Sequence, residues 1–253
     1  MCDSCGCDHG HEGVTIAVPG RPAGTAEFHE QHHQGHGRTL RLEQDVLARN
    51  NHLAGHNREW LAAHRILALN LVSSPGSGKT TILEETIRRL NGAVAVTVIE
   101  GDQQTLLDAE RIDATGVPVV QVNTGAGCHL DADMVHRALH TLAPPDRSLL
   151  FIENVGNLVC PAMFDLGEAA KVVIISVTEG EDKPLKYPAM FAAATLCLIN
   201  KIDLLPHLDF SVERCMEYAR RANPDLAFLP LSARSGEGMD AWLTWLDDAV
   251  RHA

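Results

Sequence analysis

The chain has 253 residues with 21 basic and 33 acidic side chains, a formal net charge of −12. That balance argues against nucleic acid as the main partner, and no basic amphipathic segment offers itself to a membrane surface. No apolar run reaches the ~18 residues of a spanning helix, and the start of the chain carries acids, Gly and His in place of a basic-then-apolar signal. A cytoplasmic protein is expected, long enough for one α/β domain with an appendage.

Residues 1–37 read as a region apart. They hold Cys2, Cys5 and Cys7 and six histidines (His9, His11, His29, His32, His33, His36), with many Gly and almost no apolar periodicity. Such composition cannot bury a core, so a flexible metal-binding tail is expected. Three thiols in Cys2-Asp3-Ser4-Cys5-Gly6-Cys7, with an amine or amide nitrogen, suit square-planar Ni(II), and Gly6 lets the chain turn tightly. In a reducing compartment this spacing speaks for metal instead of a disulfide framework.

Residues 38–65 carry apolar side chains at helical spacing, among them Leu42, Val46, Leu47, Leu53, Trp60 and Leu61. Asn50-Asn51 is expected to break this stretch into two helices. From residue 66 to 253 the pattern alternates. Strands are expected at 66–73, 94–99, 117–122, 149–153, 172–177, 194–199 and 228–231. Helices are expected at 79–90, 103–112, 132–142, 211–222 and 239–250, with a turn at Pro144-Pro145 and a loop of about 15 residues after Glu153. Apolar β-branched strands alternating with helices mean a P-loop-type α/β fold, a mainly parallel sheet covered on both faces. Ligands then sit at the carboxyl ends of the strands.

The first strand ends in Ser73-Ser74-Pro75-Gly76-Ser77-Gly78-Lys79-Thr80 and a helix follows. This is a phosphate-binding loop in its proper context, although Ser73 stands where the pattern has Gly. Gly76, Ser77 and Gly78 turn backbone N–H groups onto a polyphosphate and Lys79 faces its β- and γ-phosphates. The Thr80 hydroxyl takes a Mg2+ position, and Thr81 continues the segment. Asp102, after the second strand, is assigned to the Mg2+ and water side, with helix capping as its alternative role. Glu153, ending the fourth, takes a Walker-B-like role.

Asn200-Lys201-Ile202-Asp203 closes another apolar run. The Asp203 carboxylate can accept from guanine N1 and N2, Asn200 reaches the other edge of the base, and the Lys201 stem lies along its face. Ser232-Ala233 adds a loop whose N–H meets guanine O6. GTP is therefore expected over ATP. Cys128-His129 follows the third strand and Cys160 the fourth, so both fall on the nucleotide side of the sheet. Two thiolates and an imidazole suit Zn2+ or Ni2+, but three ligands leave the site to be completed by water or a second subunit. Cys197 and Cys215 read as small buried hydrophobes.

These segments carry a resemblance over nearly the whole chain. Cys2-x-x-Cys5-Gly6-Cys7, the loop 73–80 and Glu100-Gly101-Asp102-Gln103 resemble the HypB family of hydrogenase maturation GTPases, nickel-insertion accessory proteins. So do Asn123-Thr124-Gly125-Ala126-Gly127-Cys128-His129-Leu130, Glu153-Asn154-Val155-Gly156-Asn157-Leu158-Val159-Cys160-Pro161 and Asn200-Lys201-Ile202-Asp203. The resemblance implies a GTP-dependent homodimer of the SIMIBI class that hydrolyses GTP slowly. It implies a high-affinity nickel site at Cys2, Cys5 and Cys7 and a weaker zinc or nickel site at Cys128, His129 and Cys160. Its implied partners are a small nickel- and zinc-binding maturation protein, a peptidyl-prolyl isomerase and the hydrogenase large subunit. The His tract between 29 and 36 is shorter than in relatives thought to store nickel. A storage protein with a nucleotide-gated conformation and a urease-type accessory GTPase are the rival readings. Guanine recognition opposes the first, and the N-terminal thiols with Cys128-His129 oppose the second.

Overall fold

The computed structural model describes residues 15–17, 39–103, 106–125 and 127–252. Cys2, Cys5, Cys7 and the six tail histidines lie outside the described residues, as do Gln104, Thr105 and Ala126. The strands are β1 (Thr15–Ala17), β2 (Leu67–Ser73), β3 (Val96–Asp102), β4 (Val119–Asn123), β5 (Leu149–Glu153), β6 (Ala170–Ser176), β7 (Leu196–Asn200) and β8 (Ala227–Pro230). They form one sheet in the order β1-β4-β3-β5-β2-β6-β7-β8. Seven strands are parallel. β1 alone runs antiparallel, pairing Thr15 with Asn123 and Ala17 with Gln121 at one edge. This strand falls in the region expected to pack nothing. It is too short for periodicity to reveal, and only its ladder with β4 defines it.

The helices are α1 (Thr39–Ala63), α2 (Lys79–Leu90), α3 (Leu107–Asp113), α4 (Ala132–Leu142), α5 (Lys183–Lys186), α6 (Pro188–Ala193), α7 (Val212–Ala222) and α8 (Met239–Arg251). Alternation along the strands divides the core between two faces. Leu67, Leu69 and Leu71 join Ile82, Leu83, Ile112, Trp242 and Leu246 on one face, under α2, α3 and α8. Ile66, Ala68, Leu150 and Ile152 meet Leu61, Val135 and Leu139 of α1 and α4 on the other. Val173, Ile175 and Ile199 extend that layer to Phe191, Cys215 and Ala219 of α6 and α7. No described helix is long and apolar enough to cross a membrane.

Two expectations are corrected. The stretch 39–63 is one helix, unbroken at Asn50-Asn51. Asparagine disfavours helix interiors because its amide competes for nearby backbone groups. Here the Asn50 amide is employed elsewhere: it donates to the Asp165 carbonyl at 2.8 Å and accepts from Ala132 N at 2.9 Å. The helix expected from Gln103 begins at Leu107 instead. β3 runs on through Asp102, so that carboxylate ends a strand and does not cap a helix; its Oδ1 accepts from Gln103 N at 2.7 Å. The short helices α5 and α6 and the 3-10 turn Cys160–Ala162 were not anticipated.

Candidate nucleotide and metal site

The loop between β2 and α2 has the conformation its glycines require. Gly76 and Gly78 have φ of 76° and 94°, a region that L side chains rarely enter. A Cβ on Gly78 would also stand 2.5 Å from Asn200 Nδ2. Asn200 is buried and bridges two loops: its Nδ2 donates to Ser77 O at 2.8 Å and its Oδ1 accepts from Ala233 N at 3.3 Å. Lys201, itself at φ 63°, donates to Gly76 O at 2.7 Å. Ser232 Oγ donates to Asp203 Oδ1 at 2.6 Å, which orients that carboxylate. Of the residues read from the sequence as base-reading, Asn200 and Lys201 brace the phosphate loop, while Asp203 is tied to Ser232 and Ala233 to Asn200. Ser73 is fully buried, and its hydroxyl donates to Ser74 O. Thr81 is exposed and accepts from Arg111 at 3.1 Å.

Glu153 is 1% exposed and receives two groups of the phosphate loop on one oxygen. Thr80 Oγ1 donates to Glu153 Oε1 at 2.7 Å and Lys79 Nζ lies 3.4 Å from the same atom. Its other oxygen is buried and makes no hydrogen bond among the described residues, as is Oε2 of Glu100. Glu100 stands beside Glu153 in the parallel register. Burial first, then the charges of Glu153, Asp102 and Asp108, raise its carboxyl to about 9, against the opposing pull of Lys79. The Thr80 hydroxyl beside the Glu153 carboxylate, with its unpaired buried oxygen, is a hard-donor set that fits Mg2+. The sequence motif Glu100-Gly101-Asp102 named this strand end, but nothing in it marked Glu100 as the more buried carboxylate.

The three internal ligand candidates meet as well. Cys128 Sγ is 3.0 Å from Cys160 Sγ and 3.6 Å from His129 Nδ1, and the three ligand atoms lie within 4.8 Å of one another. His129 packs on Phe164 with ring centroids 3.9 Å apart. Burial lowers its pKa against the opposing charge of Asp131, which favours the neutral form that a ligand takes. Thiol contact plus a neutral imidazole suits a borderline cation such as Ni2+ or Zn2+. Cys197 and Cys215 are buried in the α6–α7 layer, where burial pushes both thiols up, Cys215 to about 12.

Side chains to which the sequence assigned no role hold this cluster. Asn157 Nδ2 donates to Cys128 O at 3.1 Å, spanning the two ligand loops. Asn154 Oδ1 accepts from Leu130 N, and Asn154 Nδ2 donates to Asn70 Oδ1 in the middle of β2. Lys171, buried inside β6, donates to Pro161 O at 2.7 Å and Phe164 O at 3.2 Å, fixing the turn that starts at Cys160. A lysine inside an apolar strand was the available sequence signal. Gly156 presses on the phosphate loop, where an added Cβ would lie 3.1–3.2 Å from Pro75. Lys183 of the unanticipated α5 donates to Ser74 Oγ at 2.9 Å.

Residues 67–230 match the family described as CobW/HypB/UreG, nucleotide-binding domain. The hydrogenase maturation factor HypB of Escherichia coli K12 is 52% identical to this chain, over 98% of each. The chain belongs to the HypB family. Two solved HypB structures share its fold. HypB from Helicobacter pylori in complex with nickel gives a TM-score of 0.76 at 36% identity, covering 81% of this chain and 96% of that one. HypB from Archaeoglobus fulgidus gives 0.75 at 38% identity, covering 80% and 99%. The span shared with the CobW/HypB/UreG family runs from β2 into β8. It holds the phosphate loop, both ligand loops and Asn200–Asp203, while Ser232-Ala233 lies just beyond it.

Proposed function

We propose that the protein is a GTP-hydrolysing metallochaperone that receives nickel and delivers it to a [NiFe]-hydrogenase during maturation. One observation carries this reading: a single segment, residues 153–160, touches both chemistries. Its first residue holds Thr80 and Lys79 through the carboxylate, and its last meets Cys128. Between them Gly156 bears on Pro75. A change at the phosphates that moves this segment must move one ligand of the metal cluster.

In this reading Gly76, Ser77, Gly78, Lys79, Thr80 and Thr81 receive the phosphates, while Asp203, Lys201 and the Ser232-Ala233 loop read guanine. Asn200 keeps the two sites in register through Ser77 and Ala233. Mg2+, when bound, would be held by Thr80, Asp102 and Glu153 and would neutralise charge on the phosphate oxygens. Asp102 orients the attacking water, Glu153 keeps its Walker-B-like place beside Thr80, and Lys79 stabilises charge on the β- and γ-phosphates. Nickel is cargo at Cys128, His129 and Cys160, where zinc competes, and at Cys2, Cys5 and Cys7. A homodimer formed with GTP completes the three-ligand internal site. The small nickel- and zinc-binding maturation protein, the prolyl isomerase and the hydrogenase large subunit are its expected partners.

Linkage gives the test. If nucleotide changes metal affinity, metal changes nucleotide affinity by the same factor, typically about 5–150-fold. Nickel and zinc affinities of the internal cluster are to be measured with GDP and with a non-hydrolysable GTP analogue. The protein used is the full chain carrying Cys2→Ser, Cys5→Ser and Cys7→Ser. Equal affinities in the two states would refute the switch and leave two neighbouring but independent sites.

A further inference from the structure

Outside the nucleotide and thiol sites, α4 carries a second arrangement suited to a metal. His136 and His140 are one turn apart, and their Nε2 atoms lie 3.2 Å from each other on an exposed surface. Two nitrogens at the usual ~2.05 Å from a shared ion, separated by that span, subtend an angle of about 100°, between octahedral and tetrahedral values. Rings one turn apart on a helix face the same way without rearranging the backbone.

Proximity alone would be a common surface contact. What distinguishes this pair is the group behind it. Asn57 of α1 is fully buried, and its Nδ2 donates to Ala132 O at 2.9 Å and Leu166 O at 3.1 Å. Those two carbonyls fix which end of the amide is nitrogen. Asn57 Oδ1, facing His136 Nδ1 at 3.0 Å, can therefore only accept. In the neutral ring the proton is therefore on Nδ1, and Nε2, 3.2 Å from His140 Nε2, is the nitrogen left with a lone pair. This is the outer hydrogen bond that sets tautomer and ring orientation in metal-binding histidines. His140 needs only to carry its proton on Nδ1 to offer the second nitrogen. The His52–His56 pair of α1 has the same 3.2 Å spacing but no buried amide at its back among the described residues.

We infer that His136 and His140, oriented by Asn57, form a surface binding site for a borderline divalent cation such as Ni2+ or Zn2+. It is separate from the thiol cluster and independent of the nucleotide. α4 begins three residues after His129, and four residues of helix place His136 about 6 Å along the axis from Ala132. The pair therefore stands in the first turns of the helix that leads out of the ligand loop.

The test separates this site from the histidines of the N-terminal region by its need for the fold. A metal that binds folded and unfolded chain alike adds no stability, whereas one held only by the helix at 100 times its Kd raises the folding constant about 100-fold. Thermal melts with and without Ni2+ are to be run on the full chain carrying Cys2→Ser, Cys5→Ser, Cys7→Ser and Cys128→Ser. The Ni2+-dependent rise in Tm should be largely lost on adding His140→Ala and kept on adding His52→Ala or His36→Ala. His140 is exposed, so its replacement leaves packing intact. Imidazole NMR signals of His136 and His140 should broaden at substoichiometric Ni2+. No Ni2+-dependent rise in the parent, a full rise in the His140→Ala chain, or unperturbed His136 signals at saturation would each overturn the site.

Discussion

Glu100 is a carboxyl folded against other carboxylates, and its neighbours predict how the protein answers pH. Its pKa of about 9 in the fold lies far above the ordinary carboxylate value that it regains on unfolding. The folded chain then binds a proton that the unfolded chain has released, and stability falls as pH rises between those values. Stability from this group is whole at low pH and lost as pH passes through about 9. Glu100→Gln in the nucleotide-free protein should therefore raise Tm at pH 8 and hardly change it at pH 5; melts at the two values decide it. Asp203 gives the second prediction at this scale. Ser232 holds its carboxylate by one oxygen, and in the proposed function that group accepts from guanine N1 and N2. Asp203→Asn should weaken GTP by up to ~10^4-fold, since a site built around such hydrogen bonds rejects a mismatched partner on that scale. Xanthosine triphosphate binding should improve. Competition binding against ATP checks it, and equal ATP and GTP affinity in the unaltered protein would defeat the assignment. A third is Gly78→Ala. The new methyl meets Asn200 Nδ2 at a backbone angle unfavourable to alanine. It should cost about 1–3 kcal/mol in urea unfolding and remove nucleotide binding.

At the scale of elements, α1 and the loop after β5 show what sequence could and could not deliver. The bounds of α2, α4 and β5 follow from apolar periodicity and appear as read. The Asn50-Asn51 break failed because propensity is local, whereas the partners of Asn50 come from Asp165 and Ala132, far along the chain. Asn57 works similarly, bonding Ala132 and Leu166 from the same helix face. Asn57→Leu would take a donor from both carbonyls and should destabilise the protein by about 2–6 kcal/mol at 1–3 kcal/mol per orphaned group. An alanine at exposed Arg49 should change little, which denaturant midpoints would distinguish. The meeting of Cys128, His129 and Cys160 was legible because parallel strands end on one side. The supports, Asn157, Asn154 and Lys171, were not, since their targets are backbone carbonyls and amides whose positions exist only after folding.

For the whole molecule, the sheet places the phosphate loop, the Asn200–Asp203 loop and the thiol cluster along one set of strand ends. The short antiparallel β1 gives that arrangement a direction. Thr15 pairs with Asn123, the last residue of β4, and Ala17 with Gln121. Traced backwards from Ala17, the chain thus climbs the sheet edge and leaves it on the side where Cys128 follows from β4. Cys7 precedes Thr15 by eight positions in the sequence, which bounds their separation at about 28 Å. If nickel passes between the two thiol groups as proposed, that bound makes the exchange intramolecular, and the effective concentration of one group at the other is set by chain length. Nickel transfer from Cys2, Cys5 and Cys7 to the internal ligands should then proceed at a rate that dilution of the protein does not change.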